Sequence, residues 1–429
     1  MKTSRYNMFF EFQEQIVGYN AFENDYIFIT RELYDLFLKC ERNGIDSLAT
    51  IHPDFFDLLK EKNFCIPNNI DELQQVKDLV HSIDCNPEYY QIVINPTMNC
   101  NFNCWYCYET HIKGSKMDKK IIQSIQNHIK NKLNEGVIKE FSINWFGGEP
   151  LLYFNEVVLP ILEFSNKLSE EKCINFYTHF TTNGSLINNE ILEHCKRLGN
   201  SCTFQITLDG HRYRHNQVRN NGAKTGSYDV IIANIKKCLD YGFNINCRIN
   251  LSDETFNDDL LQIIEDFSDL QDTQKQLIFY SLHKVWQVES NLDSEIKNLL
   301  KEFKNRNMNV GTGNSIDTVR NSCYGDKKNQ ATINFNGDVY KCTARDFKPE
   351  NREGVLMDDG TIEWNDKYYQ RMESKFNNPP CLACNILPIC NGSCTQHALD
   401  NIGKDYCVHD FDENKKIDII REKLLYAIN

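Results

Sequence analysis

The sequence predicts an α/β protein whose centre is a partial (β/α)6, TIM-like barrel. From Gln91 to Val285, short β-type apolar runs alternate with amphipathic helical runs, and the alternation occurs six times. Such alternation favours parallel strands joined by right-handed crossovers, for which a six-stranded partial barrel is the natural closure. Because the pattern differs on either side, we expect three domains, at residues 1–90, 91–310 and 311–429.

Each predicted barrel strand is a short run rich in β-branched or aromatic residues. The strands are expected at 91–96, 140–146, 174–182, 202–208, 243–251 and 276–285. The helices between them are expected at 119–133, 155–170, 188–199, 228–242 and 258–268. Motifs that follow the strands should therefore converge on one mouth, at the carboxyl ends of the strands.

Residues 1–90 form a small α+β module in this prediction. Two β-rich runs flank a turn region at 18–25, and helical spacing follows at 31–42 and 54–63. A hairpin followed by short helices is typical of a winged-helix-like fold. An N-terminal extension that caps the barrel is an equally good interpretation.

Composition narrows the classes of function. The chain has 429 residues, of which 41% are hydrophobic and 25% charged, as in ordinary soluble proteins. Its net charge of -13 argues against nucleic acid as a partner. No apolar run approaches the roughly 20 residues of a membrane span, and the N-terminus lacks the features of a signal peptide. We therefore expect a cytoplasmic protein without a membrane or nucleic-acid partner.

Cysteine is unusually common, with 18 residues in a chain for which we expect no export signal. In a reducing compartment, clustered cysteines indicate metal ligands before disulfides. Cys100, Cys104 and Cys107 form a Cys-x3-Cys-x2-Cys run directly after the first predicted strand. Three thiolates at this spacing can hold three irons of a 4Fe-4S cluster and leave the fourth iron open. A structural zinc site is the alternative, but zinc motifs supply two separated ligand pairs, and no such pair follows nearby.

The run resembles the signature of the radical S-adenosylmethionine enzymes, Cys-x3-Cys-x-aromatic-Cys, with Tyr106 as the aromatic residue. The resemblance implies that the open iron chelates S-adenosylmethionine. It also implies that one electron cleaves this cosubstrate to a 5′-deoxyadenosyl radical, which abstracts hydrogen from a substrate.

Four further segments resemble elements of the S-adenosylmethionine pocket in that family. Three of them lie at the end of a predicted strand, and the fourth follows the last of these directly. The dipeptides NG and DG within them are also ordinary turn signals. The cosubstrate-binding residues implied by the resemblance are Tyr106, Gly147, Gly148, Glu149, Thr182, Asn183, Thr207, Asp209 and Arg219. Glu149 would accept a hydrogen bond from the methionyl ammonium group, and Arg219 would contact the carboxylate. A surface salt bridge is the alternative role for Arg219.

Seven cysteines after the barrel resemble the twin-cluster SPASM domain, which implies two auxiliary 4Fe-4S clusters and three clusters in all. Cys381, Cys384, Cys390 and Cys407 would hold one auxiliary cluster. Cys323, Cys342 and Cys394 would hold the other, which lacks an obvious fourth ligand. Asp317 is a candidate for that position, and an open iron is the alternative. With either arrangement, the two clusters could relay electrons and could also hold a loop-rich domain together.

The resemblance as a whole implies a maturase that modifies a ribosomally made peptide. The modification would be a thioether or carbon–carbon link, or the oxidation of a side chain. The expected partners are a precursor peptide, with its leader bound at the N-terminal module, and a low-potential donor such as flavodoxin or ferredoxin. A sulfatase-maturing, formylglycine-forming enzyme and a non-catalytic electron-transfer protein are the alternatives. No side chain is assigned as a catalytic acid or base.

Overall fold

A mixed sheet of eleven strands organises the middle of the chain. The computed structural model describes residues 1–198, 202–219, 226–256, 259–313 and 317–428. Within these residues, six neighbouring strands follow one another in chain order and are all parallel. They are Tyr89–Ile94, Glu140–Trp145, Asn175–Thr182, Cys202–Leu208, Asn244–Leu251 and Ile278–Lys284. The six predicted parallel strands are therefore confirmed.

Helices connect these strands, as the alternating pattern requires. The longer ones are Lys119–Leu133, Leu159–Glu171, Asn189–Arg197 and Tyr228–Asp240. Side-chain caps begin two of them, because Asp118 accepts from the amide of Ile121 and Asn188 accepts from the amide of Ile191. The apolar faces of helices and sheet share one buried core, which includes Ile143, Phe180, Phe204 and Ile235.

The fifth predicted helix, at 258–268, is confirmed only in its middle. Residue 258 lies outside the described residues, and only Gln262–Glu265 is α-helical in the rest of that segment. Successive turns surround it, with hydrogen bonds from the amide of Ile263 to the carbonyl of Leu260 and from that of Phe267 to Ile264. These three-residue turns bury the same apolar side chains that suggested a helix, since spacings of three residues fit both structures.

Segments beyond the six repeats extend the same sheet at both ends. Gln330–Ile333 pairs in parallel with the first strand, and three short antiparallel strands follow, Asp338–Tyr340, Gly354–Leu356 and Ile362–Trp364. At the other end Val310–Gly311 pairs with the sixth strand. Residues 87–314 and 329–368 accordingly form one compact unit.

The second compact unit consists of residues 1–86, 315–328 and 369–429. It contains a three-stranded antiparallel sheet formed by Asn7–Phe12, Gln15–Asn20 and Asp25–Ile29. The predicted turn region at 18–25 contains the turn at 21–24 that joins the second and third strands, although the second strand extends to Asn20. The sequence analysis missed the first hairpin turn, which lies at Gln13, whose φ of 55° is unusual for a residue other than glycine.

Both faces of this small sheet are covered within the unit. Phe9 and Ile27 pack toward helices Arg31–Asn43 and Pro53–Glu61. On the other face, Phe10 and Tyr19 share a core with helix Glu72–Asp84 and the C-terminal helix Glu413–Ile428. The winged-helix-like character of residues 1–90 and the predicted domain boundaries stay predictions. The compact units divide the chain differently, since residues 329–368 belong with the barrel strands.

A buried ionic cluster joins distant segments of the second unit. The Lys375 ammonium lies 2.5 Å from the Asp84 carboxylate and 3.0 Å from that of Asp326. Asp326 also accepts hydrogen bonds from the amide and hydroxyl of Thr395. In the described part of the chain, no helix combines the length and apolar character needed to cross a bilayer.

Candidate functional site

A cavity of about 230 Å³ opens at the carboxyl ends of the parallel strands. Cys100, Cys104 and Cys107, on the loop that follows the first strand, all line it. Burial raises the pKa of the Cys100 thiol to about 12 and that of Cys107 to about 11. A cation bound among these sulfurs would offset that cost, because it favours the thiolate form. The three thiols are therefore suited to a metal cluster.

The cysteine loop is held in place by a glycine that follows the second strand. Gly148 has a φ of 51°, and a Cβ built on it would lie 2.2 Å from the carbonyl oxygen of Asn99. The neighbouring amide of Glu149 donates to that same carbonyl at 2.9 Å. Both the backbone conformation and the close approach require glycine at position 148.

Glu149 is completely buried beneath the cavity wall. Its carboxylate accepts hydrogen bonds from the Thr182 hydroxyl at 2.7 Å and from the amide of Asn183 at 2.8 Å. The amide of Leu151 donates to it as well, at 3.0 Å. Burial raises the pKa of this carboxyl, while the hydrogen bonds oppose the rise. The carboxylate thus orients the loop after the third strand.

An ion pair forms the floor of the cavity near the fourth strand. The Arg219 guanidinium donates to the Asp209 carboxylate, and their side chains are 9% and 3% exposed. Tyr106 donates its hydroxyl to the same carboxylate at 2.8 Å. Arg219 also donates to the Tyr106 hydroxyl at 3.0 Å. The aromatic residue of the cysteine loop is therefore fastened to the pair, and burial raises its pKa.

The structure brings the predicted pocket residues together. Those that line the cavity are Tyr106, Gly147, Gly148, Thr182, Asn183, Thr207 and Arg219. The other two, Glu149 and Asp209, lie directly behind and hydrogen-bond to lining residues. Their cosubstrate contacts stay predictions.

Sequence reasoning missed three charged or titratable residues of this cavity, Glu109, His111 and Arg248. Glu109 accepts from the amide of Gly148 at 2.9 Å, and burial raises its pKa to about 7. The ligand atoms of Cys107, Glu109 and His111 lie within 4.8 Å of one another, with the His111 ring nitrogen 3.5 Å from the Cys107 sulfur. The signal that could have found Glu109 and His111 was their position two and four residues after Cys107.

A second group of cysteines lines a small pocket in the other compact unit. Its members are Cys381, Cys384, Cys390 and Cys407, the four residues predicted to hold one auxiliary cluster. Asn378 donates to the Cys381 sulfur at 2.9 Å, and His409 lies 3.6 Å from the Cys390 sulfur. Gly392 has a φ of 68°, and a Cβ there would approach the Cys381 sulfur to 3.0 Å. Four sulfur donors around a space kept open by glycine suit a 4Fe-4S cluster.

The structure places the other predicted ligands as follows. Cys323 and Cys394 begin the short helices Tyr324–Asp326 and Thr395–Asp400. Cys342 follows strand Asp338–Tyr340, and its sulfur accepts from the amide of Ala344 at 3.3 Å. The Asp317 carboxylate, the candidate fourth ligand, pairs with the Arg320 guanidinium at 3.0 Å. Their ligation of a cluster stays a prediction.

Comparison with known proteins identifies the barrel region. Residues 94–267 match the model of the Radical SAM superfamily. The chain contains a radical SAM domain. Its sequence is 25% identical over 400 residues to the radical SAM cyclopropyl synthase TigE of Paramaledivibacter caminithermalis, which covers 85% of this chain and 79% of TigE. It is 28% identical over 150 residues to the cysteine-type anaerobic sulfatase-maturating enzyme of Clostridium novyi, covering 34% of this chain and 39% of that enzyme.

Solved structures share the fold of this chain. Streptococcus suis SuiB bound to its precursor peptide SuiA aligns with a TM-score of 0.54 at 17% identity, covering 95% of this chain and 98% of SuiB. The enzyme anSMEcpe with bound AdoMet aligns with a TM-score of 0.59 at 17% identity, covering 79% of this chain and 94% of that one. The predicted TIM-like α/β class and the resemblance to radical SAM maturases are thus confirmed.

Proposed function

We propose that this protein uses radical S-adenosylmethionine chemistry to modify a side chain of a ribosomally made peptide. One observation carries the proposal: three cysteines of a single loop share a cavity with a glycine pair and a buried arginine–aspartate pair. In this proposal Cys100, Cys104 and Cys107 hold the catalytic 4Fe-4S cluster. The similarity to TigE, and the likeness of fold to a protein solved with its precursor peptide, support the peptide as substrate class.

The cosubstrate would lie between the cysteine loop and the strand ends. When bound, S-adenosylmethionine and its cluster supply an organic radical that abstracts hydrogen. Gly148 brings backbone close to the cavity, and Glu149 holds Thr182 and Asn183 at its wall. Arg219 presents donors beside Tyr106, with its charge balanced by a buried carboxylate. These groups bind and orient a zwitterionic cosubstrate in this proposal.

The auxiliary clusters are the second part of the proposal. Cys381, Cys384, Cys390 and Cys407 would close one cluster, supported by their shared pocket. The resemblance assigns Cys323, Cys342 and Cys394 to the other, and the ion pair of Asp317 with Arg320 favours an open fourth iron over ligation by Asp317. A low-potential donor such as flavodoxin or ferredoxin would supply electrons.

The leader of the precursor would bind the small antiparallel sheet. Strand Asp25–Ile29 lies at one edge of that sheet, and Phe28 on it is 49% exposed. An edge strand offers unpaired backbone groups to which an extended peptide can add, and an exposed aromatic ring supplies affinity. We expect Phe28→Asp to weaken leader binding and to leave S-adenosylmethionine cleavage unchanged. Val230→Asp, at a similarly exposed apolar side chain, is the matched control.

Anaerobic coexpression with each short open reading frame found near this gene tests the proposal by mass spectrometry. A mass change in the peptide that maps to one residue or cross-link is expected with the wild type and absent with Cys104→Ala. Cys384→Ala is expected to cleave S-adenosylmethionine without forming product. A wild-type enzyme that binds iron but never cleaves S-adenosylmethionine would contradict the proposal and favour an electron-transfer protein.

A sulfatase-maturing activity is the second candidate, favoured by the sequence match to the enzyme of Clostridium novyi. The same preparation can be given a synthetic sulfatase peptide that contains the target cysteine. Formation of formylglycine on that peptide, with the peptides of the neighbouring open reading frames unmodified, would select this function instead.

A further inference from the structure

Arg248 is a cation of the cavity that has no ion-pair partner among the described residues. It lies on the fifth strand, Asn244–Leu251, and lines the same cavity as the three cysteines. Its Nε donates to the Asn250 side chain at 2.9 Å. Within the described residues, no carboxylate comes within 4.0 Å of its guanidinium. Arg219, by contrast, is paired with Asp209.

A partly buried charge without an ion-pair partner is costly, and this guanidinium carries donors that nothing in the described protein uses. A guanidinium has five N–H donors, and Asn250 accepts only from Nε. Burial lowers the pKa of Arg248, which indicates that the cation is poorly solvated. A carboxylate that accepted two parallel hydrogen bonds would offset this cost and would be fixed in orientation.

The position of Arg248 favours the peptide as the source of that carboxylate. The fifth strand lies three strands away from the second, which carries Gly148 at its end. Its neighbour is the sixth strand, which leads to Val285, Trp286 and Gln287 at the cavity wall. Trp286 is 63% exposed and stacks on the ring of Tyr108, with the centroids 5.8 Å apart. Exposed, stacked aromatic rings at a cavity rim are suited to contact with an incoming polypeptide.

We propose that Arg248 binds a carboxylate of the peptide substrate and thereby selects an acidic side chain close to the residue that is modified. The inference rests on the proposed function, since it assigns the remainder of the cavity to S-adenosylmethionine. Asn250 is the positioning residue. It accepts from Arg248 and donates to the Tyr106 hydroxyl at 3.0 Å, so it ties the peptide site to the cysteine loop.

Two blocked tripeptides test this assignment without knowledge of the precursor. N-acetyl-Gly-Asp-Gly-amide and its Asn analogue differ in one charge and have no terminal charges. We would measure their dissociation constants for the anaerobic full-length protein by saturation-transfer NMR. The Asp peptide is expected to bind about tenfold more tightly to the wild type, since hydrogen bonds to charged groups are the stronger ones. The preference is expected to vanish in Arg248→Gln and to be partly retained in Arg248→Lys.

Controls separate this assignment from general damage and from the proposed function. Arg212→Gln removes an exposed arginine outside the cavity and should leave the preference intact. The S-adenosylmethionine dissociation constant should not change in Arg248→Gln. A wild type that does not distinguish the two peptides would overturn the assignment, as would an Arg248→Gln variant that retains the preference but loses S-adenosylmethionine. Failure of the wild type to bind S-adenosylmethionine would overturn the proposed function, while the peptide comparison would still decide the role of Arg248.

Discussion

The buried pair of Asp209 and Arg219 provides the sharpest test of the geometry at this site. We consider Asp209→Asn, which keeps the size and an acceptor oxygen but removes the negative charge. The arginine would then remain charged with its side chain only 9% exposed. Leaving a buried charge unpaired costs about 3–5 kcal/mol, and the lower end applies because the cavity admits water. We therefore expect the free energy of unfolding to fall by about 3 kcal/mol.

The chain supplies a matched control for this substitution. Arg212 and Asp229 form a pair at 2.8 Å through the same nitrogen type, but their side chains are 47% and 68% exposed. Asp229→Asn should cost less than about 1 kcal/mol, because water and salt screen the charges. Thermal unfolding of the anaerobically purified variants, followed by circular dichroism, measures both. The pair lies in the compact unit of residues 87–314 and 329–368, for which an unfolding entropy of about 2.1 cal/mol/K per residue converts a cost of about 3 kcal/mol into a fall of about 5 °C in the unfolding midpoint.

The double variant Asp209→Asn with Arg219→Gln should regain much of the loss, because no buried charge then lacks a partner. Equal destabilisation by Asp209→Asn and Asp229→Asn would refute the argument from burial. A double variant no more stable than Asp209→Asn would refute the argument from the unpaired charge. Iron content measured on each sample distinguishes loss of the fold from loss of a cluster.

Two further predictions concern the frame of the cavity. Gly148→Ala should abolish S-adenosylmethionine binding and lower iron content, because its Cβ would lie 2.2 Å from the Asn99 carbonyl oxygen. Gly136→Ala is the control, since that glycine also has positive φ but open space around it, and only the smaller cost of backbone strain is expected. The stability of the wild type should fall as the pH is lowered from about 6.5 to about 4, in part because burial lowers the pKa of His128 to about 4. As the pH falls, the His128 imidazole is protonated first in the unfolded chain, which lowers the free energy of unfolding. His128→Gln should therefore reduce the slope of unfolding free energy against pH by up to about 1.4 kcal/mol per pH unit. An unchanged slope would contradict the assignment.

The parallel strands and the first cysteine loop were predictable from the sequence because both depend on local patterns. A strand reveals itself by a run of β-branched residues, and the spacing of Cys100, Cys104 and Cys107 is set within eight residues. The glycine pair and Glu149 were assigned through their resemblance to a family element, and their place after a predicted strand, whose end must lie at the cavity, supported that assignment. The apolar periodicity did not predict the structure of most of 258–268, because a helix and a series of three-residue turns bury the same side chains.

Tertiary structure alone decided which charges meet. Nothing near Arg248 in the chain indicates that, among the described residues, its guanidinium has no carboxylate within 4.0 Å, whereas Arg219 finds one at Asp209. Strands such as Gln330–Ile333 join the barrel sheet through pairing with residues more than 200 positions away. Such pairings leave no periodic signal in the chain. Hydrogen bonding and burial act between side chains that only the folded backbone brings together, and they set both the pKa values and the free donors of this site.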